Sequence, residues 1–279
     1  MNTSAARGDI YALGHSEHEL ERLTRQAEVF LPFTRQLLEQ AGIGPGMRVL
    51  DVGSGAGDVS FLAADLVGQE GSVIGVDCSE VAVEWSRARA RSRELGNVSF
   101  LLGDPADMEF RQQFDSIVGR FVLMYYPDPV TAIRKLARHL APMGLVVFQE
   151  FDMDYVRSRP SAPTFERAAE IMKRTLRVAG TRIELGSDLY AVFTAAGLPE
   201  PSLRMDVLIG GGAEFQGYDL MAGTIQSLLP VMEKLGIASA SEINVPTLAA
   251  RMRDEVVAGK GVALSPALIG AWSRKSGSG

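Results

Sequence analysis

Residues 48–60, RVLDVGSGAGDVS, decide how this chain folds. Val49, Leu50 and Val52 make a short apolar run with no polar alternation to mark a solvent face, the pattern of a strand buried on both sides. The run ends in Gly53, Gly55 and Gly57, separated only by Ser54 and Ala56. Without Cβ atoms the chain turns sharply there, and its backbone N–H groups approach a ligand closely. A helix is predicted from Asp58. Further on, SVIGVD at 72–77 reads as a second strand that ends in a carboxylate. A glycine turn after one strand and an acid closing the next is how a doubly wound sheet holds a nucleoside, the acid taking the ribose hydroxyls.

The turn discriminates between nucleosides. A dinucleotide fingerprint, G-x-G-x-x-G, needs glycine at position 58, where this chain has Asp58. A pyrophosphate would sit on the helix N-terminus, and the Asp58 carboxylate would oppose it. An adenosine without phosphate avoids that conflict. S-adenosylmethionine (SAM) is such a ligand, and its sulfonium and ammonium groups tolerate Asp51 and Asp58 nearby. An NAD(P)-dependent oxidoreductase is therefore the disfavoured alternative.

Taken with GVD at 75–77, GD at 103–104, FDSIVGRFVL at 114–123 and PMGLVVF at 142–148, the segment VLDVGSGAGD resembles the class I SAM-dependent methyltransferases. The likeness spans about 48–152 and is nearest to small-molecule enzymes related to ubiquinone and menaquinone biosynthesis. It implies an α/β fold, a Rossmann-like, doubly wound, mostly parallel seven-stranded sheet with helical lid insertions. It implies SAM as cofactor, with S-adenosylhomocysteine (SAH) as product. By the same resemblance Gly53, Ser54 and Gly55 form the cofactor turn, with Asp51 at the strand before it. Asp77 binds the ribose, Cys78 packs beside the adenine, and Gly103, Asp104 and Pro105 border its amino edge. Pro105 departs from the pattern by lacking an N–H. Tyr11 and the pair Arg22/Gln26 reach the methionine end, or else form a solvated helix face. Arg120 stands where the family often has a neutral residue, and is expected to pair with the methionine carboxylate or with Asp51. Phe121 follows it at the mouth of the site.

Composition narrows the partners. At 279 residues, 46% hydrophobic and 22% charged, the chain suits one large α/β domain or a domain with a cap. A formal net charge of −6 argues against a nucleic-acid partner, which needs a basic footprint. No run approaches the ~18 apolar residues of a membrane span. A single cysteine suits a reducing cytoplasm. No H-x-E, C-x-x-C or H-E-x-x-H spacing supports a metal site.

The expected organisation is an N-terminal helical lid over 1–44 and a SAM-binding core over 45–279. Helical insertions into that core are expected at about 155–180 and 214–260. Pro32 is expected to break or kink the leading helix into two, and the strand Ala267–Trp272 to close the sheet. Methyl transfer from a sulfonium is an in-line displacement, so the expected mechanism is alignment and water exclusion on a small, apolar or aromatic acceptor at O, N or C. A base is needed only where the acceptor must lose a proton. His15, Tyr125 and Glu150 are the candidates; His139 reads as a surface residue. The expected enzyme is a cytoplasmic monomer or homodimer, and a non-methylating SAM-binding member of the fold is the alternative.

Overall fold

The computed structural model of the protein describes residues 17–277. Helix α1 (Glu17–Ala41) leads into β1 (Arg48–Val52), followed by α2 (Asp58–Val67), β2 (Ser72–Asp77), α3 (Glu80–Ser92), β3 (Val98–Leu102), β4 (Phe114–Arg120), α4 (Pro129–Leu136) and β5 (Leu140–Asp152). The second half adds β6 (Arg157–Arg159), α5 (Pro163–Val178), α6 (Leu185–Ala195), β7 (Ser202–Asp206), β8 (Ile209–Gly210) and α7 (Gly217–Lys234). It ends with α8 (Ala240–Ile243), α9 (Val245–Ala258), β9 (Val262–Leu264) and β10 (Ala267–Arg274).

Seven strands form one sheet in the order β3-β2-β1-β4-β5-β10-β7, with β10 alone reversed. The expected mostly parallel, doubly wound sheet is thus what the chain folds into. Its central strands β1, β4 and β5 are largely buried on both faces, which is why their sequences carry continuous apolar runs. Val49, Val73, Val118 and Val147 pack with Leu37 and Leu38 of α1 and Leu62 of α2. On the opposite face Leu50, Ile117 and Phe148 pack with Ile133 of α4 and Phe193 of α6. The strand order reverses between β1 and β4, so a crevice opens beyond their carboxyl ends. The glycine turn leaves β1 there, beside Arg120 at the end of β4.

A second, three-stranded sheet, β6-β9-β8, is built from segments of two or three residues. With α5, α7 and α9 it encloses a core of its own, in which Phe165, Met172, Ile225, Leu228 and Met252 are buried. Helix α1 lies across α2 and β5 and touches α7, linking the sheet to this helical body.

Three expectations are corrected. Pro32 does not break the leading helix: α1 runs through it from Glu17 to Ala41. Phe30 on one side and Leu37 and Leu38 on the other are all buried, and that packing outweighs the ~3 kcal/mol interior penalty of proline. Strand β10 does not close the sheet but lies inside it, paired on both sides over Leu268–Trp272, while the largely exposed β7 is the edge. His139 is buried, edge-on to Phe110 with ring centroids 5.0 Å apart, and burial lowers its pKa. No described helix is long and apolar enough to cross a membrane.

Candidate functional site

A cavity of about 270 Å³ occupies the crevice and extends under the helical body. Its floor is the glycine turn. Gly53 and Gly55 have φ of +67° and +50°, a region L side chains rarely enter. A Cβ on Gly53 would stand 2.4 Å from Cγ2 of Val122, so the turn and the loop after β4 are pressed together; a Cβ on Gly55 would meet nothing within 4 Å. Contrary to the expectation from sequence, four of the turn's backbone N–H groups are taken within the protein. Gly53 and Ser54 donate to the Val76 carbonyl at 2.9 and 3.0 Å, Gly57 to the Ser54 carbonyl at 2.8 Å, and Gly55 to Oδ2 of Asp77 at 2.8 Å. A phosphate-binding turn leaves such groups free; here these four are engaged.

Asp77 is locked from its other oxygen as well, accepting the N–H of Ser79 at 2.8 Å. Its carboxylate still lines the cavity, with lone pairs beyond those two bonds. Cys78 and Pro105 border the same end. Gly103 and Asp104 stand behind them: Gly103 donates its N–H to the Asp77 carbonyl at 2.9 Å, and Oδ1 of Asp104 accepts from Tyr126 Oη at 2.9 Å and from the Ala106 N–H at 3.0 Å. Asp58, at the start of α2, is paired with Arg89 at 2.7 Å. Asp51 is buried beneath the turn with the Ser60 hydroxyl at 2.6 Å. Burial pushes its pKa up to about 7 against the opposing Ser60 bond.

The opposite wall is aromatic and cationic. Phe121 (φ +55°) stacks on Phe151 with centroids 3.8 Å apart, and Phe30 of α1 meets both edge-on. Arg120 lies among them, and Arg22, hydrogen-bonded to Gln26, approaches from α1. Beyond this belt the walls are apolar: Phe165, Met172 and Leu176 from α5, Phe215 before α7, and Leu220 and Met221 on it.

Of the residues singled out from sequence, Gln26, Gly53, Ser54, Gly55, Asp77, Cys78, Pro105, Arg120, Phe121 and Tyr125 meet on this cavity. Asp51, Gly103 and Asp104 lie behind its wall. Glu150, a base candidate, is also off the cavity: it is fully buried, and its Oε1 accepts the N–H groups of Val122 and Leu123 at 3.0 and 2.7 Å. Burial pushes its pKa up to about 8. Glu150 therefore holds the loop after β4. Tyr11 and His15 fall outside the described residues. The sequence reading placed helical insertions at 155–180 and 214–260 but did not name Phe165, Met172 or Leu176, although α5 carries the signal: Phe165, Ala168, Met172 and Leu176 recur at helical spacing.

Residues 43–197, more than half of the chain, match the family model described as a methyltransferase domain. The chain belongs to the class I SAM-dependent methyltransferases. This methyltransferase-family chain is 40% identical over 120 residues to nocamycin O-methyltransferase of Saccharothrix syringae, covering 43% of each chain. It is 28% identical over 200 residues to the ubiquinone/menaquinone biosynthesis C-methyltransferase UbiE of a Shewanella species, covering 70% of this chain and 77% of that one. The YcgJ protein of Bacillus subtilis shares its fold, with a TM-score of 0.54 and 21% identity over 86% of this chain and 97% of that one. The chain spans about half the length of several curated relatives it matches.

The cofactor of this family is SAM, and the residues present fit it. Ser54 Oγ is buried on the floor with no hydrogen-bond partner among the described residues, the position of a group that awaits a ligand. The direction of a Gly55 Cβ is open, and the turn N–H groups are engaged, which suits a nucleoside without phosphate.

Proposed function

We propose that this protein transfers a methyl group from SAM to O, N or C of a small apolar or aromatic molecule. The observation that carries this reading is the continuity of one cavity from the glycine turn and Asp77 to the apolar walls of α5 and α7. Asp77 would accept the ribose hydroxyls, Ser54 Oγ would find its missing partner, and Cys78 and Pro105 would flank the adenine with Asp104 behind them. Gln26, with Arg22, would reach the amino-acid end. Bound SAM supplies an electrophilic methyl group on a sulfonium.

What the chain itself contributes is alignment and dryness. Phe30, Phe121 and Phe151 form a rigid apolar belt at the junction of the two halves, and an acceptor held between that belt and α5 would be fixed in line with little water around it. Tyr125 is the candidate on the wall for receiving a proton; Glu150 is not among the residues that line the cavity. α1 and the segments 155–180 and 214–260 act in this reading as the lid. The enzyme would work in the cytoplasm, as a monomer or homodimer.

The reading is tested by calorimetric titration with SAH, with NADH and NADPH in parallel, followed by transfer of label from SAM to a panel of small aromatic acceptors. SAH binding alone, then labelled product, is the expected result. Binding of a nicotinamide cofactor instead of SAH would overturn it. SAH binding without transfer to any acceptor would favour the non-methylating alternative.

A further inference from the structure

Arg120 departs from the neutral residue expected at its position, and its surroundings say what the departure is for. It ends β4 at the switch point of the sheet and lies deep in the protein, where burial lowers its pKa. It is not fully buried, and it lines the cavity. One of its five donors is used: Nη1 bonds to Thr34 Oγ1 at 3.2 Å, and Thr34 in turn bonds to the buried Gln149 at 2.7 Å. The guanidinium carbon lies 5.5 Å from the centre of the Phe121 ring.

No carboxylate stands within 4.0 Å of Arg120 among the described residues. The two acids whose field it feels are Asp58 and Asp51. Asp58 is held by Arg89 at 2.7 Å and Asp51 by Ser60 at 2.6 Å. A partly buried guanidinium on an aromatic wall, with no ion-pair partner among the described residues, is a costly arrangement unless a ligand completes it. Its planar fork of donors matches one ligand group best, a carboxylate. A phosphate fits worse, because the neighbouring turn has its N–H groups engaged and Asp58 would repel a dianion.

We propose that Arg120 is the carboxylate receptor of the cavity, anchored from behind by Thr34 and Gln149. Two carboxylates can reach it, that of the cofactor's amino-acid end and one carried by the acceptor. The inference rests on the proposed function only in taking the occupants of the cavity to be an adenosyl amino acid and a small acceptor.

The test is calorimetric binding to the full chain and to Arg120→Gln, with Arg120→Lys as a second variant that keeps the cation. The ligands are SAH; S-adenosyl-3-thiopropylamine, which is SAH with hydrogen in place of the carboxylate; and, on SAH-loaded protein, 2-naphthoate against 2-naphthamide. If Arg120 holds the cofactor's carboxylate, Arg120→Gln loses about tenfold or more in SAH affinity, the size of one charge-assisted bond, and nothing for the amine. If it holds the acceptor's carboxylate, SAH affinity is unchanged, and a roughly tenfold preference for naphthoate over naphthamide disappears in Arg120→Gln. In either case Arg120→Lys retains part of the preference. Equal weakening of SAH and the amine would mark a structural role and overturn the assignment, as would variants that keep every preference of the parent. If the unaltered protein binds neither SAH nor the amine, it is the cofactor reading that fails.

Discussion

The floor of the cavity and its outer wall enclose one space but are held in opposite ways. Around the glycine turn the positions are fixed by hydrogen bonds: Gly53, Ser54, Gly55, Gly57 and both oxygens of Asp77 are engaged at 2.8–3.0 Å. Around α5 and α7 they are fixed by apolar packing, with Phe165, Met172 and Met221 in a core separate from that of the sheet. Hydrogen bonds are directional and tolerate little displacement. Methionine-rich apolar packing adapts to differently shaped neighbours. The contrast suits a site that must hold one cofactor always in the same pose and an acceptor whose shape differs from relative to relative.

The largest test of that contrast is Gly53→Val. The new Cβ would stand 2.4 Å from Val122 Cγ2, at a φ of +67° that disfavours a branched side chain. Strain and clash together should cost roughly 3–5 kcal/mol of stability, and SAH affinity should fall by about 100-fold or more, the equivalent of ~3 kcal/mol. Thermal unfolding and SAH titration read both effects. A variant that melts and binds like its parent would mean the floor is not rigid.

Phe165→Ala asks the same of the outer wall. Phe165 is 1% exposed and lines the cavity, so its truncation should cost about 3–5 kcal/mol. Its effect on function should differ from that of Gly53→Val, with SAH affinity unchanged within about twofold and the acceptor's KM raised. A parallel loss of SAH affinity would show that the two walls are one unit. Asp77→Ala has a smaller stability effect but removes an acceptor for the ribose, so SAH affinity should drop by roughly 10–100-fold. Unchanged affinity would reduce Asp77 to a clamp for Gly55 and Ser79.

These tests follow the line between what could and could not be read from the chain. The floor was legible because every feature of it is local. Three glycines, a strand of two-sided burial and an acid at the end of the next strand leave their marks within thirty residues. The engagement of the turn's N–H groups was not legible, since it depends on Val76 and Asp77 lying beside Gly53, a fact of sheet register. Strands β6, β8 and β9 are too short for a period of two to show. The continuity of α1 through Pro32 comes from Phe30, Leu37 and Leu38 meeting the sheet, and the burial of His139 from its contact with Phe110. Arg120 was visible as an oddity, but its lack of a partner needed Asp58 and Asp51 to be seen bonded elsewhere.

Glu150 lies off the cavity, behind the loop after β4, and gives the finest test. Its Oε1 pins Val122 and Leu123, the loop that meets Gly53, while Oε2 has no partner among the described residues. Its pKa is raised by burial from 4.5 to about 8, against the opposing backbone bonds. Between those two values the folded state holds a proton that the unfolded state has released. Stability contributed by this group is therefore fully present below about pH 4.5 and is lost as pH rises to about 8. Asp51, raised to about 7, acts in the same direction. Glu150→Gln keeps the oxygen that accepts the two N–H groups and cannot ionise. The variant should match its parent at pH 5 and be more stable than it at pH 8.5, by roughly 1–3 kcal/mol. Melting temperatures of the two proteins across that range decide the point. If their curves run parallel, Glu150 is ionised in the folded protein, and the loop that joins floor to outer wall is held by a buried charge.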